Sequence, residues 1–179
     1  MAKKLKSMAD PMGLQPLEKD SGDIQVIVET PRGCRNKFAF DPKQKIFVLK
    51  KVLPAGMSFP YDFGFLPKTK ADDGDAIDVL LLMDEPAFTG CLVKARIIGV
   101  IEGEQIDGKE KVRNDRLVAV AEMSHEYGHL KKLSDLPQQL LKELEEFFVN
   151  YHRLEGKKYR LLGCKGKTVA MTLIKEAKS

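Results

Sequence analysis

The hydrophobic pattern changes period near residue 134, and that change limits the fold more than any other feature of the chain. Upstream, apolar and β-branched residues come in short runs. Ile24-Gln25-Val26-Ile27-Val28-Glu29 predicts a strand. Lys37-Phe38-Ala39-Phe40 and Ile46-Phe47-Val48-Leu49 flank Asp41-Pro42-Lys43-Gln44-Lys45, the signature of a hairpin with a Pro-containing turn. Ile77 to Met83 predicts a buried strand. Two more are predicted over Leu92 to Glu102 and Leu117 to Glu122, joined by the polar loop 103–115, with Gly99 marking a bulge. Many short strands with little helix predict a closed or nearly closed β-barrel. Downstream, Leu136, Leu140, Leu141, Leu144, Phe147, Phe148, Tyr151 and Leu154 recur at helical spacing. Asp135 is the expected N-cap, with Pro137 in the first turn and Gly156 as the stop. Val169 to Lys178 suits a strand or a short helix, with helix expected for its last half. The fold class is therefore α+β, mainly β, with peripheral C-terminal helices.

Residues 1–22 have weak periodicity and include Pro11, Gly13, Pro16 and Gly22, as expected of an N-terminal extension. Residues 23–179 read as a single domain, a length able to bury a substantial core. A net charge of +4 is too small to imply nucleic-acid binding, so that partner class is not expected. No apolar run approaches the length of a membrane span, and the N-terminus lacks a signal-like apolar segment. Cys34, Cys91 and Cys164 make neither a disulfide framework nor a zinc spacing. A reduced, cytoplasmic location without a membrane partner is the expectation.

The stretch Asp72-Asp73-Gly74-Asp75-Ala76-Ile77-Asp78, followed by Asp84 and Glu85, concentrates carboxylates that repel one another. Two readings follow: a cluster of hard oxygen ligands for Mg²⁺, Mn²⁺ or Ca²⁺, or an acidic surface turn. An EF-hand loop is excluded, since position six counted from Asp73 is Asp78 and position twelve is Asp84. In extended backbone Asp73 and Asp75 share a face, and Asp78 opens the following strand. Glu29, Lys37, Lys51, Asp107, Asp115, Arg116, Tyr151 and His152 are further polar candidates, each also readable as a surface or packing residue. His125-Glu126-Tyr127-Gly128-His129 has the letters of a zinc-protease motif. Gly128 and the lack of an amphipathic run argue against the helix such a motif needs.

Several blocks occur in order: Val26-Ile27-Val28-Glu29-Thr30-Pro31, Lys37, Phe59-Pro60-Tyr61-Asp62-Phe63-Gly64-Phe65, Asp73-Gly74-Asp75-Ala76-Ile77-Asp78-Val79-Leu80, Arg116-Leu117-Val118-Ala119-Val120, and Phe147-Phe148 with Tyr151. This set resembles the soluble family I inorganic pyrophosphatases over about residues 24–160. The resemblance implies an OB-like five-stranded barrel with helices. It also implies Mg²⁺-dependent hydrolysis of pyrophosphate to two phosphates, with Mn²⁺ as a substitute ion. By carry-over, Asp73 and Asp78 are metal ligands, and Asp75 takes a proton from the attacking water. Glu29 supports the metal and water network, and Lys37, Lys51, Arg116 and Tyr151 contact phosphate oxygens. Asp107 and Asp115 are the candidates for the remaining loop ligands. The family also implies a homo-oligomer, for a chain of this length a hexamer rather than a dimer.

Departures from the family pattern are Ala39 for a Glu, Lys51 for an Arg, Phe59 and Phe63 for tyrosines, and His152 for a Lys. Arg116 takes the place of a family lysine, and Asn114 falls where a metal-binding Asp is expected. Lost hydroxyls leave room for a different phosphoanhydride as substrate. A non-catalytic OB-like binding module is a third reading, although the interleaved aromatic and basic residues of single-strand binders are missing.

Overall fold

The computed structural model describes residues 10–19 and 21–177; residues 1–9 and 20, which fall in the expected N-terminal extension, and residues 178–179, which include Lys178 at the end of the last expected element, lie outside the described residues. The elements run β1 (Ile24–Thr30), β2 (Asn36–Asp41), β3 (Ile46–Val52), β4 (Asp62–Phe65), β5 (Asp78–Leu82), β6 (Leu92–Asp107), β7 (Glu110–Arg113), β8 (Arg116–Ala121), α1 (Gln138–Arg153), β9 (Lys158–Gly166) and α2 (Lys167–Glu176).

Hydrogen bonding links β1 to β4, β4 to β5, β5 to β8, β8 to β6 and β6 back to β1, a closed ring of five strands. β5 and β8 run parallel, the other ring pairs antiparallel. The ring is closed as the strand pattern predicts. Its strands are covered on both sides, which is why β5 and β8 read as continuous apolar runs. Val79, Leu81, Leu117 and Ala119 join one cluster with Ala170 and Ile174 of α2. Leu80, Leu82, Val118 and Val120 join the opposite cluster with Leu144 and Phe148 of α1. β4 crosses β1 so closely that a Cβ on Gly64 would stand 2.1 Å from the Ile27 carbonyl oxygen, so only glycine fits there. Gly99 lies at the expected irregularity, where the β6–β8 register shifts between Ile97 and Gly99.

The structure corrects the sequence expectations in five places. The polar loop expected over 103–115 is largely a hairpin: β6 continues to Asp107 and turns through Gly108 into β7. β4 and β9 are unforeseen strands, the first between β1 and β5 and the second along β6. α2 begins at Lys167, so the whole stretch from Val169 to Glu176 is helical. Finally, α1 is capped by Pro137, not Asp135. A residue before proline is held extended, and Leu136 has φ −69 and ψ 141. Asp135 instead accepts the backbone N–H groups of Lys131 and Lys132.

Candidate active site

The acidic stretch forms a tight turn at the entrance to β5. The Gly74 N–H donates to the Ala71 carbonyl and the Ala71 N–H to the Asp75 carbonyl. Gly74 has φ +90, a conformation glycine adopts without strain. The Asp75 N–H donates to the Asp73 carboxylate at 3.1 Å, which fixes that side chain locally. Parallel pairing of β5 with β8 then sets Asp78 opposite Arg116, with Arg116 Nε 4.0 Å from Asp78 Oδ2.

A cavity of about 380 Å³ opens over this point. Asp73, Asp75 and Asp78 form one wall, and the sequence candidates Lys37 from β2, Arg116 from β8 and Tyr151 from α1 stand inside the cavity, as does His152. Phe59, Phe63, Phe147 and Phe148 supply an apolar floor, and Gln105, Asn114, Glu155 and Lys157 fill the rest of the lining. Two other cavities lie elsewhere. One of about 130 Å³ adjoins Lys70, Arg113 and Asp115. One of about 490 Å³, mostly apolar, adjoins Met83, Leu92 and Met123. The first of these also carries Asp72 and Glu176, but it holds none of Asp73, Asp75, Asp78, Lys37 and Arg116.

Electrostatics mark this region as a place where carboxylates are held out of water. Glu29 on β1 is only 8% exposed. Burial raises it to about 7, against the Phe40 N–H it accepts and with the nearby Asp78 adding to the rise. Burial also raises Asp78 to about 6, against the opposing pull of Arg116 and Lys37 and with help from Asp73 and Asp75. Asp73 is raised as well, chiefly by desolvation. For Lys37, burial alone would lower the amine, but Tyr151, Asp78 and Glu29 outweigh it and the group stays charged more firmly than usual. Lys37 Nζ lies 5.4 Å from the Tyr151 ring centroid, and Lys51 Nζ lies 3.6 Å from it.

A raised carboxyl binds its proton more tightly in the folded chain than in the unfolded one. The stability it adds is present at low pH and is lost as pH climbs from the unfolded value through the folded one. For Glu29 that window runs from 4.5 to about 7. Glu29→Gln keeps the acceptor for Phe40 and removes the charge. In a chelating buffer it should stabilise the chain at pH 8 by about 2–3 kcal/mol, a rise in Tm of roughly 4–12 °C. At pH 4 the two melting curves should coincide. Scanning calorimetry at both pH values checks this.

Not every candidate lines the cavity: Glu29 is buried in β1, its carboxylate accepting the Phe40 N–H. Lys51 stands at its edge, ion-paired with Glu155. Asp107 lies exposed at the tip of the β6–β7 hairpin, opposite Glu110. Asp115 accepts the Gly103 N–H at 2.9 Å and pairs with Arg113 at 2.8 Å. Among the described residues, no three acidic, histidine or cysteine side chains converge as a preformed metal cage. His125 to His129 lies in bends and turns, without the helix a zinc motif requires. Gln105, Glu155 and Lys157 were not among the sequence candidates. The alternation of β6 was the available signal for Gln105; nothing local distinguishes Glu155 or Lys157 from surface charges.

The sequence model of the inorganic pyrophosphatase family matches residues 26–179. An inorganic pyrophosphatase of Synechocystis is 38% identical over 161 residues, covering 90% of this chain and 93% of its own. One of Nostoc is 40% identical over 148 residues, covering 83% and 85%. The crystal structure of the Thermus thermophilus inorganic pyrophosphatase aligns with a TM-score of 0.86 at 28% identity, covering 94% of this chain and 97% of that one.

Proposed function

Because this chain belongs to the inorganic pyrophosphatase family, we propose that it hydrolyses inorganic pyrophosphate to two phosphates with Mg²⁺ as the working ion. The observation that carries the reading is the meeting of Asp73, Asp75 and Asp78 with Lys37, Arg116 and Tyr151 in one cavity.

The donor set fits a hard cation. The ligand atoms on offer are carboxylate oxygens, and burial raises Glu29 and Asp78, whose charges a bound cation would offset. Mg²⁺ keeps several waters and needs only one or two protein carboxylates, so a closed protein cage is not required. Asp73 and Asp78 would hold it, supported by Glu29. Asp107 and Asp115 fall outside this set, because the first lies at an exposed tip and the second is already paired. When bound, the cation supplies charge neutralisation and acidifies water.

The remaining work belongs to the side chains. Asp75, exposed at the head of the turn, accepts the proton of the attacking water. Lys37 and Arg116 face the acidic wall and bind phosphoryl oxygens, offsetting charge on the leaving phosphate. Lys51 and the Tyr151 hydroxyl bind oxygens at the rim. The aromatic floor keeps water from the far side and so strengthens these contacts.

The family likeness also favours a cytoplasmic homo-oligomer, a hexamer over a dimer. Exposed Ile46, Leu49 and Val52 on β3 offer apolar surface for such contacts. No helix among the described residues is long and apolar enough to cross a membrane.

The test is phosphate release from a panel of pyrophosphate, triphosphate and nucleoside triphosphates, each with Mg²⁺ and with chelator. Release from pyrophosphate above all others, lost in chelator, is expected. A preference for a nucleotide would favour altered substrate choice, which Phe59 and Phe63 lining the cavity without hydroxyls would allow. No release from any of them would leave the binding-module reading.

A further inference from the structure

Arg116 is the most confined charge in the cavity. Only 2% of it is exposed. Its Cζ stands 4.1 Å from the Phe148 ring centroid and 4.7 Å from that of Tyr159. Nη1 donates to the Asn114 carbonyl at 3.0 Å, and Nη2 lies 2.9 Å from His152 Nε2. Nε is buried without a hydrogen-bond partner.

The contact with His152 settles the state of the imidazole. A guanidinium has no acceptor, so Nε2 must carry the lone pair and the proton must sit on Nδ1. The ring is 3% exposed and stacks on Tyr159 at 4.9 Å with an interplanar angle of 14°. Its Nδ1 has no hydrogen-bond partner, and the nearest carboxylate, Glu155, is 3.6 Å away. Tyr159 is itself fixed, since its hydroxyl donates to the Asn114 carbonyl at 2.9 Å, and a Cβ on Gly103 would overlap that hydroxyl at 1.9 Å. Burial, with Arg116, Lys51 and Lys37 nearby, lowers His152 to about 3, which agrees with a neutral ring. An uncharged acceptor thus grips one arm of a cation in an anion-binding cavity.

We propose that His152 is a positioning residue, whose bare Nε2 holds the Arg116 guanidinium away from Asp78 and so keeps its free N–H groups available to a phosphoryl group. Arg116 Nε lies 4.0 Å from Asp78 Oδ2, too far for a hydrogen bond. Without the imidazole acceptor, a buried donor would be left unsatisfied. The guanidinium would then turn onto Asp78 as a two-point carboxylate pair, and both groups would be lost to the substrate. The role rests on the pyrophosphatase reading, but the contact itself does not.

Two variants separate the acceptor from the ring. His152→Gln can place a neutral oxygen near the Nε2 position; His152→Phe keeps the stack on Tyr159 and removes the acceptor. Binding of inorganic phosphate, measured by calorimetry in Mg²⁺ buffer, needs no turnover. The Phe variant should bind phosphate about tenfold or more weakly and the Gln variant within about threefold of the parent, as loss of a charge-assisted hydrogen bond predicts. KM for pyrophosphate should rise in the same order, with kcat less affected. Phosphate binding by the Phe variant within twofold of the parent, or equal weakening in both variants, overturns the proposal. Should neither variant fold, the nitrogen-15 spectrum of the parent decides. A neutral Nδ1–H tautomer at pH 7 supports the proposal, and an Nε2–H tautomer or an imidazolium overturns it. Failure of the pyrophosphatase reading looks different: a parent that binds phosphate without hydrolysing pyrophosphate.

Discussion

Asp75→Asn should lower phosphate release from pyrophosphate by about 10²- to 10⁴-fold, the range general-base removal typically costs. Asp75 stands exposed on the turn before β5, and its backbone N–H already orients Asp73. Asn preserves the size and the turn but cannot take a proton from water at neutral pH. The loss should therefore fall on kcat, with KM and thermal stability little changed. Steady-state kinetics beside a melting curve distinguish this from a general loss of structure. A variant with more than about a tenth of parental kcat would contradict the assignment, since base catalysis that weak lies below the usual range.

Arg116→Met should lower kcat/KM by about 10²- to 10³-fold, the usual cost of removing one preorganised charge from a developing anion. Methionine can occupy the gap between Phe148 and Tyr159, so the stack survives while the charge is lost. Asp78 would also lose the main group opposing its raised pKa and would ionise less readily. Arg116→Lys should recover only part of the activity, because an ammonium can neither stack as a plane nor donate to Asn114 and His152 at once. Activity of the Met variant within threefold of the parent would remove Arg116 from the mechanism.

The fold was legible where burial dictates sequence. β1, β5 and β8 must be apolar on both faces, and the stripe of α1 must repeat at helical spacing, so composition and period reveal them. β7 and β9 escaped because little of either is buried, and β4 escaped although it is wholly buried, because four residues broken by Gly64 are too short to show a period. β9 alternates Tyr159 inward with charged Lys158 and Arg160 outward and is broken by Gly163, so it carries little strand signal of its own; its partner β6 supplies the pairing. For β7, Asp107-Gly108 was a readable hairpin signal that the surrounding charges obscured.

The candidate site was legible for similar reasons. Asp73, Asp75 and Asp78 are close in sequence, and carboxylates at such spacing call for an explanation. Lys37, Arg116 and Tyr151 come from three separate elements and were named through the family resemblance, since nothing local distinguishes them. Asp107 and Asp115 were named only through the family resemblance, and their surroundings are set by the fold. Folding of the loop as a hairpin carries the first to its tip, and Arg113, two residues away, occupies the second. His152 departs from the family pattern, and only its contact with Arg116 gives it meaning.

The central claim is that the carboxylates before and at the start of β5 gather divalent ions beside a ring of cations. It is tested most directly by soaking crystals of the chain in saturating Mn²⁺ and collecting data at the manganese edge. Anomalous peaks within coordination distance of the Asp73 and Asp78 carboxylates, inside the cavity shared with Lys37 and Arg116, are the predicted result. A map with no peak there at full saturation would contradict it.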